Sequence, residues 1–266
     1  MIPMDAVLDV DWAAHWRALV RTREEQTGPS PTDDWWAPRA QQFARQMNAL
    51  KDDPVLRFLE PWLRPSATLL DVGAGTGRHT NPLTRRLEWV TAVEPSQAMR
   101  EYIEPAANLT VIGSTWEDAD PAPADLVICI HVLYPVAAAV PFIEKLERFA
   151  RERVFIWMRD APVMLPAEVM ARPERGREPW LRDCLMLLRQ LGVEPEMWLG
   201  TGPATAVRYE SMEEAMRQAR SHLGLAWDEE RGRAWLEANL RADEDGTLSY
   251  TTKPATTGVL HWKPRA

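Results

Sequence analysis

Three glycines alternate with other residues in one short run, directly after an apolar segment and before a helix-compatible one. The run is Asp71-Val72-Gly73-Ala74-Gly75-Thr76-Gly77. Glycine lets a ligand approach the backbone closely, and a turn between a strand and a helix presents free N–H groups. The dinucleotide-binding fingerprint places its third glycine one position later, where this chain has Arg78. The run therefore predicts a ligand-binding turn, and its spacing points away from NAD.

An acidic residue ends the next strand-like segment, which runs from Trp89 to Glu94. A carboxylate at the carboxyl end of a strand can accept charge-assisted hydrogen bonds from both hydroxyls of a ribose. Taken alone, Glu94 would more often be a solvated charge at a strand end. Because the glycine-rich turn precedes it, we favour the ribose-binding interpretation.

The turn and the acid together resemble class I S-adenosylmethionine-dependent methyltransferases, whose first motif reads Asp-x-Gly-x-Gly-x-Gly. In that family the glycines leave room for the methionine part of the cofactor, and the acid binds its ribose. The resemblance covers about residues 66–160 and implies S-adenosyl-L-methionine as the cofactor. The residues that it assigns to cofactor binding are Asp71, Gly73, Ala74, Gly75, Thr76, Gly77, Glu94, Pro95, Ser96, Met99, Thr115, Trp116, Glu117 and Ile130.

Some of the expected adenine contacts have an alternative interpretation. Met99 would cover the adenine, although a methionine at that helical spacing packs in the core about as often. Many family members place an aspartate directly after the glycine that follows the third strand, whereas this chain has Ser114. The contact with the adenine amine would then pass to Glu117 or Asp118. Trp116 would flank the ring, or serve only as a surface anchor.

The turn after the fourth strand carries His131 and Tyr134, the two candidate catalytic residues. Family members that methylate amino groups of DNA bases usually have Asn/Asp-Pro-Pro-Tyr/Phe at this turn, and the sequence here is Ile130-His131-Val132-Leu133. The mismatch argues against that activity. Ligands of open α/β sheets bind at the carboxyl ends of the strands, where His131 stands. It could act as a general base on a hydroxyl or amine, or only orient the turn or contact the cofactor.

A tryptophan-rich block at the N-terminus resembles the helical lid that many small-molecule methyltransferases place over the active site. Trp35, Trp36 and Arg39 would enter the pocket from this lid, and Arg159 belongs to the same group of expected substrate and lid contacts. A lid excludes water and so keeps the reacting groups in their geometry. For any single tryptophan, ordinary packing is an equal alternative.

These residues need a sheet to position them. Apolar, β-branched runs alternate with helix-compatible runs between residues 66 and 160, which is typical of a parallel sheet buried on both faces. We expect an α/β fold with a Rossmann-like, doubly wound, mostly parallel sheet and an antiparallel C-terminal edge. Residues 1–65 would form an N-terminal helical cap, and residues 66–266 the methyltransferase domain with a helical insertion at about 161–245.

The individual elements are predicted from the same patterns. The predicted strands are Thr68–Val72, Val90–Glu94, Leu109–Ile112, Asp125–Leu133 and Arg153–Met158. Helical patterns cover Trp180–Leu191, Ser211–Leu223 and Glu229–Leu240. The last two β-like runs, Thr247–Thr252 and Gly258–Trp262, would pair as an antiparallel hairpin that closes the edge of the sheet.

Composition narrows the classes of protein and partner. The 266 residues are 45% hydrophobic and 26% charged, which is typical of a globular chain. The net charge of −8 argues against a broad duplex-binding face, so no nucleic-acid partner is expected. Neither the histidines nor the two cysteines have the spacing of metal ligands. Without a targeting or membrane-spanning segment, the chain is expected to be cytoplasmic and to have no membrane partner.

Together these features predict methyl transfer from S-adenosylmethionine to an oxygen or nitrogen of a small-molecule acceptor. An RNA or protein methyltransferase and a non-catalytic S-adenosylmethionine-binding protein remain alternatives, and an NAD-linked dehydrogenase is poorly supported. Neither the acceptor nor the oligomeric state is predicted, because a shared fold does not define a substrate.

Overall fold

The computed structural model describes residues 10–27, 34–37, 39–48, 53–160, 177–201, 206–224, 227–252, 254 and 256–265. The strands are β1 (Thr68–Val72), β2 (Trp89–Val93), β3 (Leu109–Ile112), β4 (Ala124–Ile130), β5 (Ala150–Arg159), β6 (Glu196–Thr201), β7 (Ala206–Tyr209), β8 (Arg241–Ala242), β9 (Leu248–Thr251) and β10 (Thr256–Trp262). The helices are α1 (Trp12–Thr27), α2 (Ala40–Asn48), α3 (Pro54–Leu59), α4 (Thr80–Thr84), α5 (Gln97–Arg100), α6 (Ala139–Phe149), α7 (Leu181–Gln190), α8 (Met212–Leu223) and α9 (Glu229–Asn239).

Seven strands form the central sheet in the order β3-β2-β1-β4-β5-β10-β6. The five strands β1 to β5 run parallel to one another, whereas β10 is antiparallel to both β5 and β6. The order reverses between β1 and β4, which is where open α/β sheets bind ligands. This confirms the predicted Rossmann-like sheet with an antiparallel C-terminal edge.

The apolar strands are buried on both faces because successive side chains point to opposite sides. Leu70 and Val72 of β1 belong to the core on one face, whereas Leu69 belongs to the core on the other. In β4, Val127 and Ile128 divide in the same way, and both are fully buried. The continuous apolar runs therefore fix the two strands whose carboxyl ends carry the site.

The predicted C-terminal hairpin is wrong. β9 pairs with β7 and β8 in a separate three-stranded sheet, and β10 lies between β5 and β6 in the central sheet. All residues of β10 after Thr256 are buried, so this strand requires neighbours along both of its edges. A hairpin at the sheet edge would have left one edge and one face in water.

The N-terminal helices pack beside the sheet. Trp16 of α1 is 1% exposed and donates from its indole Nε1 to the carbonyl oxygen of Val136 at 2.8 Å. α3 begins at Pro54, and its N-cap Asp53 accepts from two backbone N–H groups. The run Gly28-Pro29-Ser30-Pro31, which is expected to break the tryptophan-rich block into two helices, lies outside the described residues. No described helix combines the length and the apolar character that crossing a membrane requires.

Candidate functional site

The glycine-rich turn links β1 to α4 and lies against the turn after β4. Gly73, Gly75 and Gly77 have φ of 75°, 58° and 77°, a region that side chains rarely adopt. A Cβ on Gly73 would come within 2.4 Å of Cγ2 of Val132. The backbone N–H groups of Gly73 and Ala74 both donate to the carbonyl oxygen of Val93, at 2.8 and 3.1 Å. The turn is thus held against β2 on one side and the β4 turn on the other.

Glu94 follows β2 and reaches back to the glycine-rich turn. Its Oε2 accepts from the N–H of Gly75 at 2.8 Å, and its Oε1 accepts from the N–H of Ser96 at 2.9 Å. Burial raises the pKa of Glu94, although these two N–H groups favour its charged form. Each carboxylate oxygen keeps a further lone pair, so Glu94 can accept from ribose hydroxyls without losing these contacts.

Asp71 and Thr76 lie deeper in the same turn. Asp71 is 2% exposed, accepts from the hydroxyl of Thr80 at 2.7 Å, and burial raises its pKa. Oγ1 of Thr76 is buried and has no hydrogen-bond partner among the described residues. The site combines a turn with three glycines, which we call the cofactor cradle, with the unpartnered hydroxyl of Thr76 and the carboxylate of Glu94 at its rim. These features fit the nucleoside and amino-acid parts of S-adenosylmethionine.

The residues expected to contact the adenine divide into two groups. Ser96 caps α5, and Met99 is 2% exposed with Cε 3.5 Å from where a Cβ on Gly75 would be. Pro95 is exposed, and its carbonyl oxygen accepts from Arg100 at 2.7 Å. The group from Glu94 to Met99 therefore borders the glycine-rich turn.

The segment after β3 differs from this arrangement. Trp116 is 3% exposed, donates from Nε1 to the carbonyl oxygen of Phe142 at 3.2 Å, and packs against the Phe149 ring at 5.5 Å. Thr115 and Glu117 are exposed beside it. This placement favours core packing for Trp116 over a stacking contact with adenine.

The segment with the expected lid residues contacts Ser96, next to Glu94. Asp34 Oδ2 accepts from the hydroxyl of Ser96 at 2.7 Å, and Asp34 Oδ1 accepts from the N–H of Trp36 at 3.0 Å. The rings of Trp35 and Trp36 meet edge to face at 4.7 Å, and the guanidinium of Arg39 lies 3.8 Å from the centre of a Trp35 ring. The expected lid residues thus stand next to the Glu94–Met99 group.

The two candidate catalytic residues and Arg159 lie at the ends of β4 and β5, where the acceptor is expected. β4 ends at Ile130, three residues before the predicted end, because His131 has a φ of 59° and turns the chain. Nδ1 of His131 lies 2.8 Å from the hydroxyl of Tyr134, and that hydroxyl accepts from the backbone N–H of Arg159 at 2.8 Å. The three residues therefore meet at the carboxyl edge of the sheet, beside the glycine-rich turn.

Sequence reasoning missed two contacts that hold the site. One is the bond from Ser96 to Asp34, and the other is Asp53, whose Oδ2 lies 2.7 Å from Nε of Arg78 and 3.2 Å from Nε2 of His79. Although burial opposes it, His79 and Arg78 hold the pKa of Asp53 well below its ordinary value. The Asp53-Pro54 pair was a readable helix-start signal, but its ionic partners were not.

We expect Asp53→Asn to destabilise the protein by about 1–3 kcal/mol, because asparagine keeps the helix cap but leaves Arg78 and His79 without their anion. Since the folded-state pKa is depressed, this contribution is present above the unfolded-state pKa and declines below about pH 4. Urea unfolding near neutral pH and at about pH 3 measures both effects.

Asp228→Asn is the matched control, because Asp228 caps α9 through one backbone N–H at 2.9 Å. Its expected change is within about 0.5 kcal/mol. Equal losses in the two variants would mean that the contacts to Arg78 and His79 contribute nothing.

The described residues contain no group of three or more histidine, cysteine or acidic side chains that could hold a metal ion. A seven-stranded sheet in this order, with a glycine-rich turn after β1 and an acid after β2, defines the class I methyltransferase fold.

Residues 70–158 match the family model described as a methyltransferase domain. This part of the chain is a methyltransferase domain, and the protein is an S-adenosylmethionine-dependent methyltransferase with S-adenosylmethionine as its cofactor. No curated protein matches the sequence.

Two solved structures show the same fold at low identity. A protein of Bacillus halodurans assigned to the methyltransferases is 11% identical with a TM-score of 0.52, over 80% of this chain and 99% of that one. A protein of Anabaena variabilis assigned to the methyltransferases of an antibiotic biosynthesis pathway is 15% identical with a TM-score of 0.50, over 81% of this chain and 99% of that one. At such identities the likeness concerns the fold alone.

Proposed function

We propose that the protein transfers a methyl group from S-adenosylmethionine to an oxygen or nitrogen of a small-molecule acceptor and releases S-adenosylhomocysteine. The observation that carries this proposal is the contact of the His131–Tyr134 turn with the cofactor cradle. Val132 packs on Gly73, so the neighbouring polar groups stand where an acceptor could meet the methyl group.

The proposed cofactor contacts follow from the geometry of the cradle. Glu94 would accept from the ribose hydroxyls, the backbone of residues 73–77 would line the methionine part, and Thr76 would donate to it. Ser96 and Met99 would border the adenosine. Ile130, which ends β4, would close the site on the side of the sheet.

A small acceptor is favoured by the surroundings of the turn. Asp34 brings the segment with Trp35 and Trp36 to Ser96, so a lid would leave room for a small molecule rather than for a macromolecule. The net charge of −8 gives no support to RNA as the acceptor. Both cysteines are free and buried, which fits a reducing compartment such as the cytoplasm.

The reaction needs alignment more than chemical assistance. When bound, S-adenosylmethionine supplies an electrophilic methyl group on a sulfonium, and the acceptor must approach in line with the bond that breaks. Here Glu94 and the glycine-rich turn would fix the cofactor, and Tyr134 and Arg159 would orient the acceptor. Holding reactants in this way can supply about 7–11 kcal/mol of the barrier.

Calorimetry and a product assay test the proposal separately. S-adenosylmethionine and S-adenosylhomocysteine should give binding heat and NAD none. Release of S-adenosylhomocysteine should then appear with some members of a panel of carboxylates, phosphonates, phenols and amines. If an RNA or protein extract, freed of small molecules, were the only acceptor to be methylated, a macromolecular methyltransferase would replace the proposal.

A further inference from the structure

Arg159 ends β5 with its guanidinium held in a fixed orientation. Its Nη2 donates to Oε1 of Glu178 at 3.1 Å, and its guanidinium carbon lies 4.6 Å from the centre of the Tyr134 ring. Its Nε is buried without a partner among the described residues. A planar guanidinium that is oriented in this way can bind two oxygens of an anion at once.

Arg159 shares the carboxylate of Glu178 with a second arginine. Its second carboxylate oxygen, Oε2, lies 3.6 Å from Nε of Arg23 in α1. One carboxylate is therefore shared between two guanidinium groups. The side chains of Arg159 and Glu178 are only 27% and 25% exposed, so the charge of the Arg159 guanidinium is less screened than it would be at the surface.

The hydrogen bonds of Tyr134 assign the proton of His131. The Tyr134 hydroxyl accepts from the N–H of Arg159, and its own proton can go only to Nδ1 of His131 among the described contacts. Burial raises the pKa of Tyr134 to about 12, so this proton stays on the hydroxyl near neutral pH. Nδ1 of His131 is then an acceptor, and the neutral ring carries its proton on Nε2.

Desolvation and the neighbouring charges keep the His131 ring neutral. Solvent reaches the residue, but desolvation by the surrounding protein lowers its pKa, and the guanidinium of Arg159 acts in the same direction. His79 and Arg78, from the end of the glycine-rich turn, also lower the pKa, and Asp53 opposes them. A neutral ring with hydrogen on Nε2 donates a hydrogen bond and cannot remove a proton through that atom.

A cation and a donor at the acceptor position, with no free base, suit a nucleophile that is already ionised. We propose that the acceptor is methylated on an oxyanion, a carboxylate or phosphonate oxygen, that Arg159 binds as a cation and His131 as a hydrogen-bond donor. This rests on the proposed function and narrows it to one class of acceptor. The role of His131 as a general base gives way to that of a donor.

The step balances without a proton transfer. A lone pair of the oxyanion forms the new O–CH3 bond while the S–CH3 bond breaks and its electron pair returns to sulfur. A carboxylate gives a neutral methyl ester, and a phosphonate dianion gives a monoester that keeps one negative charge. In both cases S-adenosylhomocysteine is released and one negative charge disappears together with the positive charge of the sulfonium, which the exclusion of water favours. An amine acceptor would arrive as an ammonium ion beside Arg159 and would need a base.

The direct test is a panel of acceptors with matched carbon skeletons, including benzoate, phenylphosphonate, phenol and benzylamine and longer analogues of each. Release of S-adenosylhomocysteine is expected with carboxylates or phosphonates. Mass spectrometry of the product, before and after mild alkaline hydrolysis, separates a carboxylate ester from a phosphonate ester, an ether and a methylamine. With a carboxylate acceptor, kcat/KM should be flat between about pH 6 and 8.5, because the carboxylate, His131 and Tyr134 keep their protonation states there.

Substitutions of Arg159 test whether this residue binds the anionic acceptor. Arg159→Gln should raise KM for the best anionic acceptor about 10- to 100-fold, the usual effect of losing a charged hydrogen bond, with unchanged affinity for S-adenosylhomocysteine. Arg159→Lys should recover part of the loss. The matched control is Arg182→Gln, because the nearby Arg182 is 60% exposed and pairs with Asp160 at 2.7 Å. This control should leave KM unchanged.

Different failures point to different conclusions. If phenols or amines are methylated and the anions are not, or if kcat/KM rises with pH, the oxyanion proposal is overturned while the proposed function stands. If no member of the panel reacts and none gives heat with protein saturated with S-adenosylhomocysteine, the oxyanion proposal is likewise rejected. If S-adenosylhomocysteine itself does not bind, the proposed function fails.

Discussion

Glu94→Ala is expected to weaken S-adenosylhomocysteine binding by about 10- to 100-fold for each ribose hydrogen bond that is lost, since a bond to a charged acceptor contributes roughly 1.5–3 kcal/mol. The fold should survive. Burial raises the pKa of Glu94, so its charged form is not a large source of stability, and water can solvate the N–H groups of Gly75 and Ser96 in the crevice. Calorimetry gives the affinity and thermal unfolding gives the stability.

Two further measurements make this prediction specific. Glu88→Ala removes an exposed acid just before the amino end of the same strand, away from the carboxyl ends that carry the site. This variant should leave the affinity for S-adenosylhomocysteine unchanged. Since the folded-state pKa of Glu94 is raised, the affinity of the wild-type protein should fall as the pH drops through that pKa. Glu94→Gln should lose this dependence. An unchanged dissociation constant in Glu94→Ala would remove Glu94 from the cofactor site.

Much of the sheet could be predicted because continuous β-branched and apolar runs leave few alternatives. β1, which is buried at four of its five positions, and β3, of which no residue is buried, both have the predicted bounds. The error at the C-terminus came from interpreting the run from Gly258 to Trp262 as an edge. A run that is apolar at nearly every position is itself the signature of an interior strand, so β10 could have been placed between two neighbours. The exposed strand β6 was not predicted, because its residues show no alternation between buried and exposed positions.

The site was predictable where one local segment determines the chemistry. The glycine-rich turn and the position of Glu94 depend on backbone space and on the end of a strand, and both are visible in short stretches of sequence. The bonds from Asp34 to Ser96 and from Asp53 to Arg78 join residues 62 and 25 positions apart. Such pairs depend on how the N-terminal segments pack on the sheet, and the hydrophobic periodicity of the sequence does not predict them. The hydrogen bonds among His131, Tyr134 and Arg159 depend in the same way on the pairing of β4 with β5.

Gly73→Ala should be the most damaging small substitution in the cradle, with a loss of about 2–5 kcal/mol of stability. A side chain at its φ of 75° costs about 1–2 kcal/mol. Its Cβ would also meet Cγ2 of Val132 at 2.4 Å, and overpacking of this kind costs roughly 1–3 kcal/mol. Valine is stiff at χ1, so the β4 turn has to move. Urea unfolding measures the loss, and calorimetry should show weaker binding of S-adenosylhomocysteine.

Gly192→Ala and Gly246→Ala separate the two causes. Their φ values are 76° and 82°, close to that of Gly73, but nothing lies within 4 Å of a Cβ at either position. Both variants should lose only the conformational part, about 1–2 kcal/mol, and should bind S-adenosylhomocysteine normally. Adding Val132→Ala to Gly73→Ala should recover the steric part, because the clash disappears while the backbone strain stays. If Gly73→Ala is no less stable than the two controls, Val132 does not press on the glycine-rich turn, and the contact that joins the acceptor side to the cofactor cradle is absent.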